Sequence, residues 1–316
     1  MAVNTKAIKT RIKSVQNTKK ITRAMEMVSA AKMRKAIEAT LGARLYATLA
    51  AELMNRLSEL QEPNFPLFEK REVKKVLMIL VSSNRGLCGS FNSNMFKAAT
   101  QLIDDKENLG THRNGDQKHD TLVSQTMTVD VLGIGRKSAL FAKRNKLELV
   151  SIYEDLGENP DMEDTRDISR FALEKFTDTT YDKVVVVYTH FKSSLEQTVK
   201  VRQLLPISKH DVEKMVEREK HHVLPQEENS IETYFMEPTR EAILEEVLPR
   251  LVEVQLYQAV LESAASEHSA RMVAMKNASE SANDMITDLT LVFNKARQAA
   301  ITQEIAEIAG GAAALE

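Results

Sequence analysis

The chain has 316 residues with 43 Lys and Arg against 45 Asp and Glu and a pI near 6.4, so it carries no overall electrostatic bias towards nucleic acid or a membrane surface. Its one cysteine, Cys88, rules out an internal disulfide and points to a reducing compartment, and its longest apolar run, residues 76–81, is far too short to cross a bilayer. Trp is absent and aromatics make up 5% of the chain, which suits helical rods better than a large globular core.

Taken in order, residues 5–60 read as one long helix. Ile8, Ile12 and Val15, then Ile21, Met25 and Val28, then Leu45, Leu49, Leu53, Leu57 and Leu60 recur at helical spacing, with no proline before Pro63. The stripe is interrupted at residues 17–20, where polar side chains occupy the expected positions. The same segment is strongly cationic, with ten Lys or Arg and a single acid, Glu26, between Met1 and Lys35. Its Lys-rich start resembles a transit peptide in composition, but the helical pattern runs past Leu53 without a processing break.

Pro63 and Pro66 end that helix and a different grammar begins. An apolar strand over 73–83 is followed by a Gly-containing turn over 84–90 and a helix over 92–104; a strand over 129–134 precedes a helix over 136–143. A helix over 165–176 leads into a buried strand over 184–188, and 197–204 reads as an edge strand that could run antiparallel. Alternating strands and helices predict a doubly wound, Rossmann-like, mostly parallel sheet. Segments 105–125 and 208–230 read as insertions, the second carrying His210, His221 and His222.

From Leu244 through Leu251, Val254, Leu261, Met275, Ile286, Leu289 and Phe293 to Ala300, apolar steps alternate three and four for about eight heptads. A helix of that length would be on the order of 100 Å long, far beyond a compact domain. Small residues at Ala265, Ser279, Ala282, Ala296 and Ala300 would bring its partner close. Acids outnumber bases about two to one after Arg240, complementing the cationic first helix, so the two ends are expected to pair antiparallel as a coiled coil. The expected division is 1–62 N-terminal helix, 63–236 α/β domain and 237–316 C-terminal helix.

Motifs for chemistry are missing. The histidines of 208–230 have no Cys and no ligand spacing beside them, so no metal is expected. Gly86 and Gly89 sit where an α/β protein cradles phosphate, yet there is no P-loop and no GxGxxG, and the glycines are read as serving a tight turn. No local motif orders Ser90, Cys88 and the histidines into a catalytic set. No catalytic residue and no cofactor is expected.

The runs IKTRIKSVQNTKKITRAMEMVSAAKMRKA, SSNRGLCGSFN and ARMVAMKNASESANDMITDLTLVFNKARQAAITQEIAEIAGGAAAL resemble the gamma-subunit family of F-type ATP synthases, over about a third of the chain. The resemblance implies a non-catalytic central-stalk rotor, one copy per complex, turning inside an alpha3beta3 ring and contacting the epsilon subunit and the c-ring of Fo. It implies an antiparallel coiled-coil shaft, no nucleic acid partner, and a peripheral place in F1 on the cytoplasmic face of a bacterial membrane, coupling proton flow to ATP synthesis or hydrolysis on beta. By motif, Arg297 and Gln298 of NKARQA correspond to contacts with beta, Met25 of ITRAMEM faces an acidic loop of beta with Lys20 and Arg23 beside it, and Ile305, Ile308 and Leu315 sit in an apolar sleeve of alpha and beta. Asn84 departs from the family, which has Asp there. Two other readings stay open: a nucleotide-binding α/β protein with coiled-coil arms, and a basic-helix binder of nucleic acid or membrane surface.

Overall fold

A computed structural model describes residues 5–58, 65–111, 113–114, 117–118, 127–154, 156, 160–208 and 239–313, with side chains outside 43–58, 113–114, 117–118, 240–241 and 311–313. His210, His221, His222, Pro63 and Leu315 lie outside the described residues. The chain forms two compact units, one of Met1–Ala30 with Arg271–Glu316 and the other of Ala31–Ala270.

The second unit is built on a five-stranded sheet. In chain order its elements are β1 (Lys75–Val81), α2 (Phe91–Asp104), α3 (Lys106–Gly110), the two-residue strands β2 (Arg113–Asn114) and β3 (Gln117–Lys118), then β4 (Thr128–Ile134) and α4 (Arg136–Arg144). There follow β5 (Glu148–Tyr153), α5 (Met162–Thr177), β6 (Lys183–Phe191) and β7 (Gln197–Leu205). The helix α1 (Thr5–Ser58) precedes them, and α6 (Arg240–Ala313) follows. Strand order is β5-β4-β1-β6-β7, with β6 and β7 antiparallel and every other pairing parallel.

Each buried strand is apolar on both faces because each face meets helices. On one face Val76, Met78, Leu80, Val185 and Val187 pack with Met95 and Ala99 of α2 and Phe141 of α4. On the other, Leu77, Ile79, Val184, Val186 and Tyr188 pack with Ile168, Ala172 and Phe176 of α5 and with Leu244, Leu248, Leu251 and Leu256 of α6. α5 starts where the Asp161 N–H donates to Asp164 Oδ2 at 2.7 Å, placing an acid on free first-turn amides.

Two expectations are corrected. Segment 105–125 begins not as an irregular insertion but with α3, whose Leu109 is buried against the α2 side of the sheet. The strand β5 is absent from a reading by apolar runs because it is a half-exposed edge strand, and Val150 stands as an extra residue between the pairs Val131–Leu149 and Leu132–Ser151.

The first unit pairs the start of α1 with the end of α6. Lys19 Nζ donates to Asn283 Oδ1 at 2.7 Å, and one turn on Thr22 Oγ1 lies 2.7 Å from Ser279 Oγ. As the α1 number rises the α6 number falls, so the pairing is antiparallel. In the part of α6 that belongs to this unit Met275, Ser279 and Ala282 are buried and Ile286, Leu289, Phe293 and Ala296 half-buried, on the seam that the heptad spacing predicts, whereas Ala300 is exposed. On α1 the expectation fails at Ile21 and Val28, while Met25 is half-buried and the side chains of Leu45, Leu49, Leu53 and Leu57 lie outside the described ones. Ile21 and Val28 are 61% and 52% exposed, and the seam continues through Lys19, Thr22 and Ser29. A 3-4 spacing kept from Ile12 and Val15 leads to those polar residues, so period overrides hydrophobicity here.

Candidate functional site

The residues that the sequence marks for partner contact fall at two levels of the first unit. Lys20, Arg23 and Met25 share one turn of α1: Lys20 and Arg23 are exposed and Met25 is half-buried. The Arg23 guanidinium is held by Glu26, with Nη1 2.8 Å from both carboxylate oxygens. That pair lies on the surface and contributes at most about 1 kcal/mol to stability. It also leaves Lys20 as the more accessible cation. A shallow groove beside this turn is lined by Lys19, Arg23, Lys276, Glu280, Asn283 and Asp284, a mixed-charge surface with no enclosed cavity for a small molecule.

The second level is the end of α6. Arg297 lies eighteen residues beyond Ser279, about 27 Å along the helix at 1.5 Å per residue. Arg297 and Gln298 are exposed, and so is every residue from 297 to 310. By the Lys19–Asn283 and Thr22–Ser279 register, Thr5 is level with about residue 297, so α1 gives these last turns no described neighbour. Ile305 and Ile308 are 61% and 73% exposed, and Ile301, at 48%, completes an i, i+4, i+7 stripe on one face. Ile301 was missing from the candidates, and that spacing was the signal available to find it. A solitary helical segment is marginal in water, and an unpartnered isoleucine face on it marks a surface made to be covered.

The structure brings the seven candidate residues into two groups, not one site. Six of the seven are exposed, and Met25 is half-buried. No group of three His, Cys, Asp or Glu able to hold a metal occurs among the described residues. No described helix is long and apolar enough to cross a membrane.

The sheet unit offers the other place to look for chemistry. In an open doubly wound sheet a ligand sits beyond the strand ends where strand order reverses, which here is between β1 and β6. α6 lies across that point. Ser263 Oγ donates to the Val81 carbonyl at 3.4 Å and Ser266 Oγ to the Thr189 carbonyl at 3.1 Å, while His190 Nδ1 lies 2.5 Å from Glu262 Oε2. The loop after β1 is also committed to itself. Asn92 Nδ2 donates to Ser83 Oγ at 2.7 Å and to Cys88 Sγ at 3.2 Å, and the Ser83 N–H donates to Asn92 Oδ1 at 3.2 Å. Gly89, at φ 56°, supplies the turn, so the glycine-rich segment closes a corner.

Asn84 has a definite task in this corner. Its Nδ2 donates to the Glu154 carbonyl at 2.7 Å and its Oδ1 accepts from the Arg136 N–H at 3.0 Å. It ties the β1, β4 and β5 ends together, and a carboxylate in its place has no proton to give Glu154. Beside it Gly135, at φ +84°, brings its Cα so close to Ser82 that a Cβ would lie 2.2 Å from the carbonyl oxygen.

At the opposite strand ends Asp130, buried, accepts from Lys75 Nζ and from the Tyr181 hydroxyl, each at 2.9 Å. The hydrogen bond to Asp130 raises the Lys75 pKa, against some burial cost. Burial, then the bond to Asp130, pushes the Tyr181 hydroxyl well above the usual tyrosine range. Such shifts attend catalytic groups, but here they belong to a clasp: Asp182 Oδ2 accepts from the Lys74 and Lys75 amides, and Lys183 Nζ donates to the Leu109 and Thr111 carbonyls.

Comparison with known proteins agrees with this division of labour. The family profile described as ATP synthase matches residues 4–315. The ATP synthase gamma chain of Chloroflexus aurantiacus is 41% identical over 316 residues, covering 99% of both chains. That of Roseiflexus sp. is 42% identical over 317 residues, covering 99% of this chain and 98% of its own. Among solved structures, a chain of the Euglena gracilis mitochondrial ATP synthase rotor has the same fold, with a TM-score of 0.60 at 18% identity over 94% of this chain and 98% of that one.

Proposed function

The chain belongs to the ATP synthase gamma-chain family, and from that premise we propose how its residues do the work of a non-catalytic central-stalk rotor subunit. The helix pair of the first unit is the shaft, and the exposed end of α6, with Ile301, Ile305 and Ile308 on one face, is its tip. That tip, helical yet without a described neighbour from 297 to 310, is the observation that carries the reading.

The tip runs in an apolar sleeve formed by the alpha and beta subunits, with Arg297 and Gln298 touching beta where the sleeve begins. Lower on the shaft, Lys20 and Arg23 face an acidic segment of beta, and Met25 packs at that level. The charge pattern supports this: ten cations and one acid in residues 1–35 make a surface that is attracted to acid in every orientation and screened by salt.

The shaft holds no nucleotide. It acts by differential contact, since a ring of three alpha and three beta subunits around one asymmetric rod meets a different side of the rod at each beta. A rod that binds one beta conformation better at each angle shifts that subunit's nucleotide state by the difference in affinity, and by nothing else. Turning the rod moves the preference from one beta to the next. The sheet unit contacts epsilon and the c-ring, so that proton flow through the ring turns the chain. The chain is part of F1, a membrane-associated complex, and its place is the cytoplasmic face of a bacterial membrane.

Affinity purification of the tagged chain from solubilised membranes tests this. The reading requires alpha and beta in three copies each per copy of the chain, together with epsilon and c. A preparation that carries the chain without alpha and beta contradicts it.

A further inference from the structure

The most buried level of the shaft is polar. Among the described residues of the first unit the buried ones are Thr22, Ser29, Met275, Ser279 and Ala282, so three of five carry hydroxyls. On the same turns of α1, Ile21, Met27 and Val28 face outward and are more than half exposed. A pair of helices selected only for stability would have these residues the other way round.

The hydroxyls are joined without an orphan. Thr22 Oγ1 lies 2.7 Å from Ser279 Oγ, Thr22 Oγ1 is also 3.1 Å from the Lys19 carbonyl, and Ser279 Oγ is 2.9 Å from the Met275 carbonyl. Each hydroxyl has one proton. If Thr22 donates across the seam, Ser279 donates back to Met275; if Ser279 donates across, Thr22 donates back to Lys19. Both donors are satisfied in either arrangement, so the rung costs nothing in unmet polarity while the helices stay in place. One turn along, at the solvent-exposed edge of the seam, the Lys19 ammonium donates to Asn283 Oδ1 at 2.7 Å.

We infer that the Thr22–Ser279 and Lys19–Asn283 rungs are positioning residues that fix the axial and rotational register of the two shaft helices, so that torque is transmitted and not lost in slip. The neighbouring seam residues are Met275, Ala282 and Ile286, and none can answer a hydroxyl or an ammonium. A slip of one residue moves the helices by about 1.5 Å and breaks a 2.7 Å bond. A slip of half a heptad sets Thr22 against Met275 or Ala282 and loses the cross-seam bond, each hydroxyl then keeping only its bond to the Lys19 or Met275 carbonyl of its own helix. An apolar seam of small side chains lacks this penalty, because small residues slide past one another with little change in contact. Polar residues at core positions of coiled coils specify register in the same way. The inference rests on the rotor reading.

The test replaces the rung by an isosteric apolar pair, Thr22→Val with Ser279→Ala, and compares it with the exchanged pair Thr22→Ser with Ser279→Thr. Spin labels at Asn17→Cys and Asp288→Cys, both exposed sites, read the helix register in the free chain, where buried Cys88 is not labelled. The assembled, membrane-reconstituted complex then gives protons pumped per ATP hydrolysed. The apolar pair is expected to keep or raise the unfolding temperature, to broaden or shift the label distance by about one residue rise, 1.5 Å or more, and to lower the pumping ratio while hydrolysis continues. The exchanged pair is expected to match the natural chain in all three. An unchanged distance distribution, or an unchanged pumping ratio, in the apolar pair overturns the proposal. Should that pair not assemble, the distance measurement on the free chain decides alone. Coupled pumping by a complex lacking this chain altogether would instead overturn the rotor reading.

Discussion

Converting the tip isoleucines to serine, as Ile301→Ser, Ile305→Ser and Ile308→Ser together, separates the stability of the chain from its assembly. The three side chains are 48%, 61% and 73% exposed, so little of their surface contributes to folding, and the unfolding free energy of the isolated chain should change by no more than about 0.5 kcal/mol. The exposed fractions amount to nearly two whole isoleucine side chains. At 1.5–3 kcal/mol for each fully buried side chain, a sleeve that covers them gains about 3–5 kcal/mol. Since each 1.4 kcal/mol is a factor of ten, the triple variant should bind an isolated alpha3beta3 ring about two to four orders of magnitude more weakly, measured by titrating labelled chain into ring. Serine keeps the segment helical enough to exclude simple loss of the helix, which circular dichroism of the free chain checks. Unchanged affinity would refute the sleeve. A large fall in unfolding temperature would refute the claim that the tip has no partner among the described residues.

Other expectations concern the sheet unit. Gly135→Ala puts a Cβ 2.2 Å from the Ser82 carbonyl oxygen at a φ of +84°, and should lower the unfolding free energy by about 2–4 kcal/mol in chemical denaturation; a loss below 0.5 kcal/mol would show that the loop relaxes freely. Asn84→Asp removes the donor to the Glu154 carbonyl and should destabilise by about 0.5–1.5 kcal/mol; a gain in stability would contradict the role assigned to Asn84. The Lys75 and Tyr181 pKa values are both raised from 10.5 and 10.0. The stability these groups contribute is therefore fully present below about pH 10 and lost as pH rises above it, where the unfolded chain gives up protons that the folded one keeps. Unfolding temperature should be level from neutrality to about pH 9.5 and fall beyond, and Tyr181→Phe should make that alkaline fall shallower; an identical slope in the variant would remove Tyr181 from the cause.

The long seam of α6 was legible because its 3-4 spacing persists from Leu244 to Ala296 whatever the residue size, and in the first unit the least exposed side chains fall on it. Strands β1, β4 and β6 were legible as apolar runs because helices cover both of their faces. The α1 seam was misread where hydrophobicity and period disagree: Ile21 and Val28 drew the stripe off a register in which Thr22 and Ser29 are the buried residues. The edge strand β5 and the short helix α3 lack the long apolar pattern on which such reading depends. The contact residues were legible only through family motifs, since Lys20, Arg23, Arg297 and Gln298 are ordinary exposed helix positions until a partner is considered. The isoleucine stripe of the tip is the exception, readable from spacing once its isolation is known. Closure of the sheet crevice by Ser263, Ser266 and Glu262 could not be read in advance, because it depends on which stretch of a 74-residue helix meets the strand ends.

The central claim is that the helix pair of the first unit turns within its ring. Leu195, 84% exposed at the β6–β7 turn, offers a point of attachment as Leu195→Cys, and Cys88, 2% exposed, leaves that thiol the one that labels. With the alpha3beta3 ring fixed to a surface and a bead on residue 195, ATP should drive stepwise rotation of the bead in one direction. ATP turnover at full rate beneath a bead that only fluctuates about one angle would contradict the account.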